Sequence, residues 1–328
     1  MQSIEYMQFS QARRRLTCIA ATVLLSTAIW AEVRVIEGSE GWLFPTWENM
    51  TMVDKPRIDA NLTAIATVKD QLAERGIQLI VLVVPMKASF YADRLPKSHP
   101  ISSAVMQQYE YIDAGFHAAG VKTVGVANAL RALEQTKQLA FFRTDYHWSA
   151  QGAEASADAT AVLVQRQVKF DKEPEGGNKL GEWVNTRRYG DLATRFMTAE
   201  QRVTLRREVF RIRSEPKEAK SLLDDDPAEI HVVGNSFVQP YLGFPQKLSQ
   251  AMNRPVSLTW NYGNVGPWAI FLKYLESDDY RTNKPKVILW QLNEPRMDAG
   301  PDSKNSWDGA SLMSMETWMQ RVRTSIAK

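Results

Sequence analysis

Four histidines, one cysteine and a serine-bearing turn after an apolar run limit the chemistry open to this 328-residue chain. Ser236 lies in Ile230-His231-Val232-Val233-Gly234-Asn235-Ser236-Phe237, where the apolar run ends in a Gly-Asn-Ser turn. That pattern puts a nucleophilic oxygen at the carboxyl end of a strand. Gly234 admits a tight turn and close backbone approach, and amide groups just past the turn can face a developing oxyanion. The G-x-S-x-G elbow of α/β-hydrolases is not matched, because Val238 stands where its last glycine would be. An ordinary loop serine after a buried strand shares the same local pattern.

A serine nucleophile needs a base, and imidazole suits neutral pH. His231 shares the strand leading to Ser236 and is ~16 Å from it at ~3.3 Å per residue, out of reach. His117 falls in a helical stretch and reads as structural. His99 precedes Pro100 in a polar loop with no carboxylate close in sequence. His147 remains, in Phe141-Phe142-Arg143-Thr144-Asp145-Tyr146-His147-Trp148-Ser149. Asp145 precedes it by two, so in a looped segment its carboxylate can turn back to Nδ1–H and fix the tautomer. The open alternatives are a helix cap for Asp145 and a buried, satisfied His147. Ser149 can cap the helix that follows. An Asp/His metal pair finds no matching ligand spacing elsewhere, and a lone Cys18 rules out a cysteine centre, so neither metal nor cofactor is expected. Lys87 and Arg143 are cations that can meet an anionic sugar or pair with local acids. Trp148, Trp183 and Trp268 can stack on sugar rings or pack in a core.

The elements that must position these residues alternate. Residues 56–75 carry Ile58, Leu62, Ile65, Val68 and Leu72 on one helical face, and Gly76 ends that helix. Ile77–Val84 is apolar on both faces, as the centre of a parallel sheet requires. A helix over 102–119 and a strand over 121–126 follow, then an alanine-rich helix over 150–167. Further strands are expected at 230–233, 256–260 and 287–292, with helices at 268–275 and 310–326. Gly41-Trp42-Leu43-Phe44 reads as a turn entering a short strand. Residues 171–228 break the rhythm with Pro, Gly and mixed charge, and read as a lid-like insertion with a helix near 199–209. The pattern predicts an α/β fold with a mainly parallel central sheet and a site beyond the carboxyl ends of its strands.

Composition agrees with a globular protein: 44% hydrophobic and 23% charged residues can bury a core. A net charge of +3 gives no dense basic stripe for nucleic acid. Arg13, Arg14 and Arg15 precede an apolar run from Leu16 to Trp30, the form of a secretory signal within residues 1–31. The run is shorter than the ~20 residues of a comfortable span, but an uncleaved anchor is the rival reading. Residues 32–328 would then form one exported domain, periplasmic and away from acyl-CoA.

Asp145-Tyr146-His147-Trp148 and Gly234-Asn235-Ser236-Phe237, in that order, resemble the SGNH-hydrolase-like domain of the alginate O-acetyltransferases AlgJ and AlgX. Gly41-Trp42-Leu43-Phe44, Val84-Pro85-Met86-Lys87 with Tyr91, Gly190-Asp191-Leu192 and Trp290 through Arg296 support the resemblance, which spans about 37–297. It implies a three-layer SGNH fold and an Asp145–His147–Ser236 triad working through an acetyl-serine. It also implies an exopolysaccharide acceptor and a membrane-bound O-acyltransferase that supplies acetyl. By the resemblance Asn264, in Tyr262-Gly263-Asn264, would donate to the oxyanion, and an ordinary turn asparagine is the alternative. Tyr146 stands where a small residue such as Thr is common. The expected plan is the single-domain one of AlgJ, without the carbohydrate-binding module of AlgX. An acetylesterase with the same triad and a non-catalytic polysaccharide-binding scaffold are the competing functions.

Overall fold

The computed structural model describes residues 34–216 and 228–328. The segment read as an export signal, and residues 217–227, lie outside the described residues. The described strands are β1 (Val35–Glu37), β2 (Leu43–Pro45), β3 (Gln78–Val84), β4 (Lys122–Thr123), β5 (Trp183–Arg188), β6 (Glu208–Arg213), β7 (Ile230–Gly234), β8 (Val256–Trp260) and β9 (Val287–Asn293). Five of them form one sheet in the order β4-β3-β9-β7-β8, and every neighbouring pair is parallel. β1 pairs with β2, and β5 with β6, as separate antiparallel ribbons.

The burial of β3, β7 and β9 on both faces is explained by two cores, one on each side of the sheet. Ile80, Leu82 and Val84 of β3 point to the face covered by helices Val126–Gln135, Ala150–Gln167 and Phe244–Met252, through Leu130, Ala157 and Leu248. Leu79, Val81 and Val83 point to the other, covered by helices Lys55–Ala73, Pro267–Leu275 and Met315–Ala327, through Leu62, Phe271 and Trp318. Each fully buried side chain of this size contributes roughly 1.5–3 kcal/mol. Helix, sheet and helix make the three layers expected of an SGNH-like fold, and β3, β9, β7 and β8 all end on the same edge.

Several elements differ from expectation. The helix over 102–119 breaks at Gln107 into Ser103–Met106 and Gln108–Ala118. Only Lys122 and Thr123 of the stretch 121–126 pair with β3, and a helix begins at Val126. The helix expected near 199–209 is a 3₁₀ turn, Gln201–Thr204, followed by β6. There, buried Glu208 and Phe210 alternate with exposed Val209 and Arg211, a two-residue period that suits a strand. The C-terminal helix starts at Met315, capped by Ser314 rather than at 310. The helices Asp191–Phe196 and Phe244–Met252 were not foreseen.

The loop that carries Asp145 and His147 is closed by an antiparallel bridge between Phe141 and Trp148 and by a 2.8 Å bond from Ser149 N–H to Ala140 O. Ser149 caps the helix behind it, accepting from Gly152 N–H at 2.9 Å. Beneath the loop lies Lys87, 1% exposed, and it corrects an expectation: it is no sugar contact. Its ammonium donates to Leu43 O (2.8 Å), Arg143 O (2.9 Å) and Asp145 O (2.8 Å). Burial lowers its pKa to about 8, against the pull of Glu208, Asp145, Asp191 and Glu48, so at neutral pH all three N–H bonds are present. From the other side Glu208, reaching in from β6, accepts from Arg143 N–H (2.7 Å), Thr144 N–H (2.9 Å) and Thr144 Oγ1–H (3.0 Å).

Lys87→Met keeps the aliphatic stem but strands three buried carbonyls, each costing about 1–3 kcal/mol when unpaired. Urea titration should show a loss of ~3 kcal/mol or more. The exposed Arg143, changed to Ala, should cost under ~0.5 kcal/mol. An Lys87→Met protein as stable as the parent would remove the ammonium from its assigned place.

Candidate active site

Ser236 follows directly from the end of β7. Its turn is set by the buried amides of β9. Asn235 N–H donates to Gln291 Oε1 (2.9 Å), and Asn235 Nδ2 and Gln291 Nε2 both donate to Asn293 Oδ1 (2.8 and 2.7 Å). Asn235 Oδ1 accepts from Phe237 N–H at 3.0 Å, which takes one of the amides past the turn. Gly234 is required by space: a Cβ there would lie 2.7 Å from Gln291 Oε1 and 2.8 Å from Val238 Cγ2.

The 141–148 loop delivers the partner. His147 Nε2 is 2.8 Å from Ser236 Oγ, and His147 Nδ1 is 2.7 Å from Asp145 Oδ1. The His147 and Asp145 side chains are only 12% and 10% exposed. Burial by itself would raise the Asp145 carboxyl, but the hydrogen bond and charge of His147 and two backbone N–H donors, from His147 and Asp191, hold it well below the ordinary range. Burial opposes the imidazolium, yet the Asp145 hydrogen bond and charge prevail and His147 is raised. An ionised acid, a base with its Nδ1 proton held, and a hydroxyl in line can pass a proton off Ser236 as an acyl carbonyl is attacked.

The other expected site residues fare differently. Trp148 is fully buried, its indole donating to Phe237 O (2.8 Å) and stacked on Phe244, so it braces the two loops rather than offering a ring to sugar. Trp268 is likewise buried, bonded to Ala299 O, and Trp183 lies under the guanidinium of Arg213 at 3.9 Å. Arg143 serves through its backbone, its side chain exposed. Asn264, at the turn after β8, donates from its side-chain amide to Asp308 Oδ2 at 3.0 Å, and its carbonyl accepts from Asp308 N–H. His231 is buried between Ser257 Oγ (2.6 Å) and Thr259 Oγ1 (3.0 Å) and stacked on Tyr274. Burial lowers its pKa to about 3, so it is a neutral core side chain.

In the sequence Gly190-Asp191-Leu192 stood only as a motif supporting the resemblance, with no role given to Asp191. Gly190-Asp191 at the start of the Asp191–Phe196 helix docks on the Asp145 loop, and a Cβ on Gly190 would lie 2.4 Å from the Thr144 carbonyl carbon. Asp191 Oδ1 accepts from Tyr146 N–H (2.7 Å), and Oδ2 approaches His147 Nδ1 at 3.7 Å. Ligand atoms of Asp145, His147 and Asp191 lie within 4.8 Å of one another, a cluster that sequence spacing did not show. Tetrahedral ligands ~2.1 Å from an ion stand roughly 3.4 Å apart. The 2.7 Å between Nδ1 and Oδ1 is instead the length of a shared proton.

Also missed was the charge beside the acid. A cavity of about 460 Å³ opens against Asp145 and Asp191 and is lined by Arg187, Arg188, Arg207 and Tyr189. β5 supplies two of these arginines, and the third immediately precedes β6. Arg188 lies over the Phe210 ring at 4.1 Å and donates to Tyr241 Oη; the other two guanidinium groups are exposed. No helix among the described residues is long and apolar enough to cross a membrane.

The family described as SGNH hydrolase-like domain, acetyltransferase AlgX, matches residues 35–294. The probable alginate O-acetylase AlgJ of Pseudomonas putida is 30% identical over 82% of this chain and 74% of its own length. The alginate biosynthesis protein AlgX of Pseudomonas aeruginosa is 24% identical over 79% of this chain, but only 55% of its own length is matched. Among solved structures, the O-acetyltransferase domain of Pseudomonas putida AlgJ superposes with a TM-score of 0.72 at 26% identity, covering 89% of this chain and 99% of that one. Pseudomonas aeruginosa AlgX shares the fold, with a TM-score of 0.64 at 18% identity over 89% of this chain and 67% of that one. A parallel sheet ending in a Gly-x-Ser turn, faced by an Asp-x-His loop and matched over most of its length, makes this chain a member of the SGNH hydrolase-like acetyltransferase family of AlgX.

Proposed function

We propose that this chain is an exported O-acetyltransferase that carries an acetyl group on Ser236 and delivers it to hydroxyls of an exopolysaccharide. The observation behind this reading is the hydrogen-bonded line from Asp145 through His147 to Ser236 Oγ. Its Ser236 Oγ attacks the acetyl carbonyl carbon while His147 Nε2 takes the proton. The donor's leaving group departs with the bonding pair and receives that proton, leaving acetyl-Ser236. A sugar hydroxyl then attacks the ester, gives its proton to His147, and the proton returns to Ser236 Oγ. Asp145 holds the imidazole and its charge throughout.

The relatives named as alginate O-acetylases and as an alginate biosynthesis protein support a polysaccharide acceptor. Alginate bears carboxylates, and the cavity with Arg187, Arg188 and Arg207 next to Asp145 suits an acceptor of that charge. In the periplasm acyl-CoA is absent, so a membrane-bound O-acyltransferase is the proposed source of acetyl.

Mass spectrometry after incubation with an acetyl ester should find acetyl on Ser236. Ser236→Ala and His147→Ala should abolish transfer in folded protein, and Asp145→Asn should lower it by ~10⁴. Full activity in either of the first two defeats the mechanism, and free acetate with no acetylated glycan would make the chain an esterase. Exchanging both Arg187 and Arg207 for Ser should raise KM for a uronate oligosaccharide about tenfold and weaken its dependence on salt. A parent enzyme that favours neutral glycans would contradict the assignment of that cavity.

A further inference from the structure

The loop between Asp145 and His147 is held by a second carboxylate. Asp191 comes from the segment between β5 and β6, not from the loop itself, yet it is bonded to the loop in both directions. Its N–H donates to Asp145 Oδ2 (2.9 Å), and its Oδ1 accepts from Tyr146 N–H (2.7 Å). That leaves Oδ2 free to lean toward His147 Nδ1 at 3.7 Å, on the side away from Ser236. Gly190 N–H donating to Thr144 Oγ1 (2.9 Å) and Ala193 N–H donating to Thr144 O (3.3 Å) fix the approach.

We propose that Asp191 is a positioning residue with an electrostatic role: it sets the 145–147 turn through Tyr146 N–H and adds a second negative charge beside the imidazolium formed when His147 takes the serine proton. The inference rests on the triad reading above. Loop geometry alone needs only a hydrogen-bond acceptor at Oδ1, whereas the placement of Oδ2 is useful only to a cation at His147. The other charged groups facing this centre are Asp145 on the loop, Lys87 beneath it, Glu208 from β6 on the Arg143–Thr144 backbone, Arg195 on the same short helix, and Arg187, Arg188 and Arg207 across the cavity. Burial and the neighbouring Asp145 charge raise the Asp191 carboxyl to about 6, and His147 pulls the other way. The second charge is therefore present at neutral pH and is withdrawn as the pH falls through about 6.

Asp191→Asn separates the two roles, because Asn keeps the acceptor for Tyr146 N–H and loses the charge. An anion beside the imidazolium favours protonation, so its removal should lower the His147 pKa by about one unit. NMR titration of the full protein reads this directly, with the His147 resonance assigned by its loss in His147→Gln. The acid limb of the pH profile for acetylation of Ser236 by p-nitrophenyl acetate should move down by the same amount, with the plateau lower by ~3–10-fold. A His147 pKa unchanged in Asp191→Asn overturns the proposal. So does a lower plateau with an unmoved acid limb, the signature of a purely structural contact. Absence of acetyl-Ser236 in the parent protein would strike the triad reading instead, and the NMR shift would still decide the place of Asp191.

Discussion

One buried ammonium underlies the architecture of the site. Lys87 stands just beyond the end of β3, where Pro85 has stopped the strand, and its three donors meet three carbonyls from two separate segments. Two of those carbonyls belong to the Asp145 loop, so the register of that loop against the sheet follows from one side chain. Glu208 matches it from above with three acceptor contacts to the same loop. Each charge is costly to bury alone. Each is tolerated because backbone groups that would otherwise be orphaned lie within its reach.

This arrangement explains which parts of the site were legible in sequence. Ser236 and His147 announce themselves, because a strand-end Gly-x-Ser is a local pattern and the other three histidines fall away by distance along the strand, by helical placement or by a loop with no carboxylate. β3, β7, β8 and β9 were legible for a similar reason, since burial on both faces or strict length leaves little ambiguity. Lys87, Trp148 and Arg143 were read as surface chemistry because sequence does not say which way a side chain faces. Lys87 and Trp148 turned inward: an ammonium with three carbonyls to serve and an indole with Phe237 O to meet are satisfied in the interior.

The placement of Asp191 and of the cavity arginines was illegible for a different cause. They lie in the stretch where mixed charge and absent periodicity gave no strand signal. β5 has no buried face to mark it, since most of its residues are exposed, and its place depends on cross-strand pairing with β6. The period-two burial of β6 was not read as a strand, and the helix expected near 199–209 overlaps only its first two residues. Glu208, Asp191 and Arg207 therefore became neighbours of the Asp145 loop only through tertiary contacts more than forty residues long.

The bond between His147 and Ser236 joins residues 89 apart in sequence. The hairpin of β5 and β6 lies between them in the chain, and β9, which sets the Ser236 turn, comes after both. A contact of that span pays its loop-closure entropy late and forms only when the enclosing elements are assembled. A partly folded chain thus has a serine, an imidazole and a carboxylate but no reactive hydroxyl. If Ser236 is acylated as proposed, that modification would be a chemical stamp of complete folding, absent from nascent or misassembled molecules.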